Sequence, residues 1–293
     1  MKNLCGGLVG LCLALGLASG SAAQDKSKNM MGVPKVLTVT REFVKPGKAG
    51  DEHDKAESAF VRAVTAAKWP TYYIGLNSLS GKQRSLFLSG YDSFDAWEKD
   101  TTATQKNKVL AAALEHASVA DGALLDAIDQ SVWVFREDQS MHPTASIADM
   151  RFMEFEVFEV KPGHEGDWDA AVKLVKDAYA KGIPDASWDM FQAVYGRTTS
   201  YVVITPLKSL SEVDRNFMAS QKFAEAMGAD GMKKLGELSA AALVSIETNL
   251  FAINPHMSYV SDEVASSAPD FWRPKTGAAP TGKAKAEAKP ATP

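Results

Sequence analysis

Residues 36–51 read VLTVTREFVKPGKAGD, and residues 152–167 read FMEFEVFEVKPGHEGD. Both segments alternate apolar and polar residues, reach a Val-Lys-Pro-Gly turn and continue to a Gly-Asp pair that favours the start of a helix. The segments are 152 − 36 = 116 positions apart, and the same shift aligns further residues downstream without an insertion. Similarity over such a long unit predicts a duplicated domain rather than a solenoid.

Each copy contains the same order of predicted elements. The alternating strand and the Pro-Gly turn precede an amphipathic helix, and two β-rich segments with a short glycine-containing joint follow. A second helical region begins near Ser93 in one copy and near Ser209 in the other, and breaks are predicted at Gly122 and Gly228. A fourth strand closes each unit, which gives the order β-α-β-β-α-β.

This order, with a first strand that ends in Val-Lys-Pro-Gly before a helix, resembles the dimeric α+β barrel superfamily. That superfamily includes antibiotic-biosynthesis-monooxygenase-like and NIPSNAP-like domains. The resemblance covers roughly residues 34–256 and implies an α+β fold. The fold that it implies for this chain has two ferredoxin-like β-α-β-β-α-β repeats, present in tandem and fused into an intramolecular dimeric α+β barrel.

The predicted domain boundaries follow from the repeat and from changes in composition. A basic start, an apolar run and small residues before Gln24 are typical of a secretion signal. The far end lacks aromatic and branched aliphatic residues, so it cannot offset its ordering entropy. The boundaries are a signal peptide at 1–23, a linker at 24–33, repeat 1 at 34–140, a linker at 141–149, repeat 2 at 150–256, a C-terminal extension at 257–273 and a disordered Ala/Pro/Lys tail at 274–293.

Composition excludes several classes of function. The signal predicts an exported, soluble protein, periplasmic or extracellular, without a permanent membrane span. Cys5 and Cys12 both lie in the signal, so the mature chain has no thiol for a disulfide, a nucleophile or a metal ligand. The net charge of −4 argues against nonspecific nucleic-acid binding. The sequence leaves the higher oligomeric state open.

The candidate ligand site comes from separating the two faces of the first and fourth strands. The more apolar face of each first strand is expected under the helices, so that its polar face and one face of the fourth strand meet inside the barrel. Three carboxylates there would repel one another and raise their pKa values. The sequence therefore predicts a polar pocket for a metal ion or a basic or hydroxylated small molecule, with a water-filled barrel mouth as the alternative. The predicted ligand-binding residues are Glu154, Glu156, Glu247, Asn249, Trp133, Thr38 and Thr40.

The histidines do not form a convincing site in the sequence. The superfamily includes haem proteins in which a helical histidine binds iron, and the resemblance carries this role only to His116, where a surface or core histidine is the commoner outcome. The acidic residues between Asp51 and Glu57 are interpreted as a solvated helix start. No cofactor is expected, and haem or a metal ion is the less favoured alternative.

The sequence thus predicts a protein that binds a small organic molecule in a barrel or helix–sheet pocket, with its catalytic residues unknown. Two alternatives stay open. The resemblance permits a cofactor-free, monooxygenase-like oxidative enzyme. Exposed sheet edges and the basic tail permit a non-catalytic protein-interaction module, because one fold hosts many functions.

Overall fold

The structure is a computed structural model that describes residues 33–144 and 146–274. The predicted signal peptide lies outside the described residues, as do most of the linker at 24–33 and most of the tail at 274–293. Among the described helices, none combines the length and the apolarity needed to cross a bilayer.

The first half of the chain forms four strands and three helices. They are β1 (Val36–Val44), α1 (Asp51–Ala66), β2 (Tyr73–Ser78), β3 (Ser85–Tyr91), α2 (Phe94–Lys106), α3 (Lys108–Gly122) and β4 (Leu125–Phe135). The hydroxyl of Ser93 caps α2 by accepting a hydrogen bond from the backbone N–H of Ala96 at 3.1 Å. The predicted break at Gly122 is confirmed, because α3 ends there.

The second half forms four further strands and two long helices. They are β5 (Phe152–Val160), α4 (Glu165–Gly182), β6 (Asp189–Tyr195), β7 (Ser200–Leu207), α5 (Ser211–Ala242) and β8 (Leu243–Ile253). Gly228 has a φ of 71° and kinks α5, so the predicted break is a kink inside one long helix. A 3₁₀ turn (Pro255–Met257) and the short helices α6 (Asp262–Ser267) and α7 (Pro269–Trp272) follow.

The eight strands form one closed antiparallel barrel in the order β1-β3-β2-β8-β5-β7-β6-β4, and the fold is mixed α+β. The two halves meet where β2 pairs with β8 and where β4 pairs with β6. Closure therefore pairs the edge strands of both halves, which would otherwise present free backbone groups.

The faces of β1 are opposite to the expectation from the sequence. Leu37 and Val39, expected under the helices, lie in the apolar interior of the barrel. Glu42, on the alternate face, instead contacts His53 of α1 and Asp121 of α3. Because alternate residues of a strand share a face, Thr38 and Thr40 also lie on the helix-covered side.

The same inversion occurs in β5. Phe155 contacts Phe251 inside the barrel, with ring centroids 5.2 Å apart, whereas Phe158 packs on Trp168 of α4 at 4.9 Å. The expectation was wrong because the interior of a closed barrel is walled by apolar residues from both halves. The more apolar face of each first strand therefore points inward, and the helices cover the more polar one.

The offset of 116 residues holds in only part of the barrel. β1 pairs Val36 with Tyr91 of β3, and β5 pairs Phe152 with Leu207 of β7, so these strands keep the offset. In the fourth strands, Trp133 is opposite Leu37 and Phe251 is opposite Met153, an offset of 251 − 133 = 118. The expectation of no insertion is therefore wrong for the segments that lead into β4 and β8.

Candidate functional site

The predicted ligand-binding residues fall on two sides of the barrel wall. Glu156 is opposite Thr248 across the β5–β8 pair, whereas Glu247 is opposite Val157. Because directly opposed residues share a face, Glu156 and Glu247 point away from each other. The expected cluster of three carboxylates is wrong for this reason. Ligand binding by the individual residues stays a prediction.

Glu154 and Glu156 lie on the helix-covered side of β5. Glu156 is 2% exposed, and its Oε1 has no hydrogen-bond partner within the described part of the chain. Burial, followed by the charge of Glu154, raises the pKa of Glu156 to about 8, and burial also raises the pKa of Glu154. Thr38 and Thr40 lie in β1 of the other half, where Thr38 donates to the carbonyl of Ser89 at 3.3 Å.

Trp133, Glu247 and Asn249 lie on the interior side of the fourth strands, as the sequence predicted. The Trp133 indole donates to Ser131 at 2.8 Å. The amide of Asn249 donates to Glu247 at 2.7 Å, and Glu247 lies 3.7 Å from the Arg84 guanidinium. The polar side chains of Asn249, Glu247 and Arg84 therefore contact one another, and Glu247 is exposed to solvent.

A cavity of about 460 Å³ opens at the barrel end where β1, β2, β5 and β6 begin. This volume falls in the range of small-molecule sites, roughly 300–1,000 Å³. The C-terminal segment covers part of it with Tyr259, Val260 and Val264. None of the predicted ligand-binding residues lines this cavity. Its barrel wall is apolar and aromatic, and includes Leu37, Ile74, Leu88, Met153, Phe191 and Ile204.

Asp189 places a buried carboxyl in the wall of this cavity. It pairs with Ile204 across β6 and β7 and therefore faces the interior, and it is 7% exposed. Its Oδ1 accepts a hydrogen bond from the Thr144 N–H at 3.2 Å. Burial raises the pKa of Asp189 to about 7, against the opposing effect of that hydrogen bond. Near neutral pH this group can donate or accept a hydrogen bond.

A second polar group lies between β1 and the helices of the first half. Glu42, His53, Glu57 and Asp121 are all buried, and one potential ligand atom from each lies within 4.8 Å of the others. We call these four residues the His53 cluster. The His53 Nε2 is 3.3 Å from the Glu42 Oε2 and 3.3 Å from the Asp121 Oδ1.

Burial and mutual charge set the protonation of the His53 cluster. Burial, together with the charges of Glu42 and Asp121, raises the pKa of Glu57 to about 9. Burial by itself lowers the pKa of His53, but the nearby carboxylates of Asp121 and Glu42 outweigh it and raise this pKa to about 10. Without a bound ion these shifts favour a proton on Glu57 and a charged imidazolium at His53, and a metal ion would have to displace both protons in order to bind.

These four residues correct two expectations from the sequence. The interpretation of the acidic start of α1 as solvated is wrong for Glu57, which is 3% exposed. The expectation that the chain needs no cofactor is also overturned, because carboxylates and an imidazole at this separation are a donor set for a metal ion. His116, the histidine suggested by the resemblance, is exposed on α3.

One sequence signal could have identified part of the His53 cluster. His53 and Glu57 are four residues apart, a spacing that places two side chains on the same face of a helix. Val64, a further residue of that face, is also buried. Glu42 and Asp121 lie on other elements and come close only in the folded chain.

No protein-family model matches this chain, and a search of curated proteins finds no match. Similar solved structures include a candidate monooxygenase from Lactobacillus acidophilus, with 9% identity and a TM-score of 0.47 over 77% of this chain and 95% of that chain. An anthrone oxidase-like protein has 15% identity and a TM-score of 0.47 over 75% and 91%. A variant chlorite dismutase from Candidatus Nitrospira defluvii, in complex with cyanide, has 9% identity and a TM-score of 0.46 over 80% and 97%.

The similar proteins belong to the dimeric α+β barrel superfamily. Their identities and TM-scores are too low to transfer an activity to this chain.

Proposed function

We propose that this protein binds a small, mainly apolar molecule that carries a hydroxyl group, in the cavity at the barrel end. The observation that carries this proposal is a space of about 460 Å³ with an apolar and aromatic wall and the buried carboxyl of Asp189. Such a combination of apolar surface with a few placed polar groups is typical of small-molecule sites.

The apolar wall of the cavity and the carboxyl of Asp189 have separate roles in binding. The apolar side chains favour a ligand by removing its surface from water, at roughly 25 cal/mol per Å². Asp189 orients the ligand, because a hydroxyl can exchange a hydrogen bond with a carboxyl in either protonation state. A ligand without the hydroxyl would displace water from this carboxyl and leave it with only the hydrogen bond from Thr144, which costs about 1–3 kcal/mol.

We also propose that the two halves are tandem copies fused into one dimeric α+β barrel. Matching bulges support this, since the register shifts after Phe43 in β1 and after Glu159 in β5. Export is proposed from the N-terminal sequence alone. Sequencing the N-terminus of the protein recovered from the producing cells tests it, and a mature chain that begins at Gln24 is expected.

The binding test uses two probes of similar shape, 1-naphthol and naphthalene, in thermal unfolding and equilibrium titration of the full chain. Val264 lines the cavity, so Val264→Trp fills part of it and is expected to abolish the stabilisation by 1-naphthol. Val244→Trp is the matched control, because Val244 is 62% exposed on β8 and does not line the cavity. A ligand at 100 times its Kd should stabilise the native state by about 2.7 kcal/mol.

Asp189→Leu separates the role of the acid from that of the wall. This variant should bind both probes with similar affinity, whereas the unchanged protein should prefer 1-naphthol about 10-fold or more. The proposal fails if neither probe stabilises the protein, or if Val264→Trp and Val244→Trp behave alike. Protein-dependent consumption of oxygen with 1-naphthol would support the oxidative alternative over binding alone.

A further inference from the structure

We propose that Glu42, His53, Glu57 and Asp121 bind a divalent first-row transition-metal ion between β1 and the helices α1 and α3. None of these four residues lines the cavity, and the site does not depend on the ligand proposed above. Three elements contribute to it, since Glu42 lies on β1, His53 and Glu57 lie on α1, and Asp121 lies on α3.

The separations suit a common coordination shell. Metal–ligand bonds of about 2.1 Å place neighbouring tetrahedral ligands roughly 3.4 Å apart. The His53 Nε2 lies 3.3 Å from an oxygen of Glu42 and 3.3 Å from an oxygen of Asp121. All four ligand atoms are within 4.8 Å of one another, so small side-chain rotations would close the shell.

Hydrogen bonding within the His53 cluster leaves an acceptor without a donor. Glu57 is 3% exposed, and across the described residues its Oε1 has no hydrogen-bond partner. The His53 Nε2 lies 3.3 Å from both the Glu42 Oε2 and the Asp121 Oδ1. Because this nitrogen carries at most one proton, it cannot donate a full hydrogen bond to both carboxylates. A buried acceptor without a partner is costly, and a bound cation would satisfy it.

The other half of the barrel shows that the fold does not require these polar groups. Phe158 occupies the position of Glu42, because each is opposite an isoleucine just before the bulge, Ile246 or Ile128. The helix against it buries only apolar and aromatic residues. They are Trp168, Ala171, Val172, Val175, Ala178 and Tyr179.

The donors restrict the choice of metal. Three carboxylates and one imidazole, without a thiolate, suit Mn²⁺, Fe²⁺, Co²⁺ or Zn²⁺. Mg²⁺ keeps several of its waters, so a buried set of four protein ligands is a poor site for it. Burial also requires the ion to enter during folding or through a local opening.

The test measures metal bound by the full chain. The protein is unfolded, refolded with Mn²⁺, Co²⁺, Zn²⁺ or Mg²⁺, freed of loose metal by dialysis and measured by inductively coupled plasma mass spectrometry. We expect one transition-metal ion per chain and no retained Mg²⁺. His53→Gln and Glu57→Gln should each weaken binding roughly 10- to 100-fold or more. Glu212→Gln, at a buried carboxylate on α5 that pairs with Arg215, should leave it unchanged.

A second readout needs no variant. Bound Mn²⁺ should show hyperfine coupling to one imidazole nitrogen in pulsed electron paramagnetic resonance. The proposal is overturned if the refolded protein retains none of the transition metals, if bound Mn²⁺ lacks nitrogen coupling, or if folded His53→Gln binds as tightly as the unchanged chain.

Discussion

Glu42 and Phe158 occupy the same place in the two halves of the barrel and have opposite chemistry. Each lies just before a bulge and is opposite an isoleucine of the neighbouring strand. Phe158 packs on an indole ring of α4, whereas the Glu42 carboxylate is 3.3 Å from the His53 imidazole. At this one position the helix–sheet contact is therefore apolar in the second half and built around buried charge in the first half.

His53→Ala tests how strongly the fold depends on that buried charge. The substitution removes the imidazolium between Glu42 and Asp121 and leaves their carboxylates buried without a countercharge. We expect the free energy of unfolding at pH 7, measured by urea denaturation with a chelator present, to fall by about 3–5 kcal/mol. His116→Ala removes an exposed imidazole from α3 and should change it by no more than about 0.5 kcal/mol. Equal effects of the two variants would contradict this interpretation of the cluster.

Asp189 should make stability depend on pH. Its pKa is raised from 3.8 to about 7 by folding, so between these values the unfolded chain loses the proton while the folded chain keeps it. The contribution of this group is complete below pH 3.8 and is lost as the pH rises to 7, a change of about 4 kcal/mol at 1.36 kcal/mol per pKa unit. Asp189→Asn cannot ionise, and its amide oxygen can still accept from Thr144.

The measurement is urea denaturation at several pH values between 4 and 8. Relative to the unchanged protein, Asp189→Asn should gain stability steadily as the pH rises through this range. Asp185→Asn, at an exposed aspartate of the preceding loop, should show no such trend. A difference between Asp189→Asn and the unchanged protein that is constant across this pH range would mean that the carboxyl is not perturbed.

Local sequence signals predicted some strands well and others poorly. The bounds of β1 and β5 match the alternating segments of the two first strands, because each alternation ends at the Val-Lys-Pro-Gly turn. β4 starts at Leu125, earlier than any local pattern in the sequence indicates. Residues 126–130 of β4 are exposed, so they show no alternation of apolar residues that could indicate a strand. They belong to the strand because they pair with β1.

The candidate sites depended on information that local patterns do not contain. Alternation separates the two faces of β1, but only barrel closure decides which face is inside. The spacing of four residues on one helix suggests that His53 and Glu57 lie close together. Asp121 is 121 − 57 = 64 positions further along the chain, on another helix, and no local pattern connects it with them. The cavity acid, Asp189, lies at the start of a predicted strand and had no partner in the sequence to suggest a site.

Trp272 should be important for both stability and the cover of the cavity. Its indole is 5% exposed, packs on the barrel core and donates to the carbonyl of Ala148 at 2.9 Å. Trp272→Ala should lower the free energy of unfolding by about 3–5 kcal/mol and weaken binding of 1-naphthol. Arg273→Ala breaks a surface pair with Asp262 and should cost no more than about 1 kcal/mol. If Trp272→Ala is as stable as Arg273→Ala, the C-terminal segment is not part of the barrel core.

Gly81 is predicted to be required by the turn between β2 and β3. Its φ is +72°, and an added Cβ would clash with the Asn249 Oδ1. Gly81→Ala should therefore lower the free energy of unfolding by about 1–3 kcal/mol, because the backbone is strained and the Asn249 amide is displaced from Glu247. Gly122→Ala is the matched control, since no heavy atom lies within 4 Å of its added Cβ. At the end of α3, alanine should be neutral or stabilise by up to about 1 kcal/mol.

A double-mutant cycle separates the two causes in Gly81→Ala. If displacement of Asn249 dominates, Asn249→Ala should remove most of the additional cost of Gly81→Ala, and the two changes will not be additive. If backbone strain dominates, the cost of Gly81→Ala should stay the same in both backgrounds. Chemical denaturation of the four proteins gives both values. A Gly81→Ala protein as stable as Gly122→Ala would show that the left-handed turn and the close approach of Asn249 are both absent in solution.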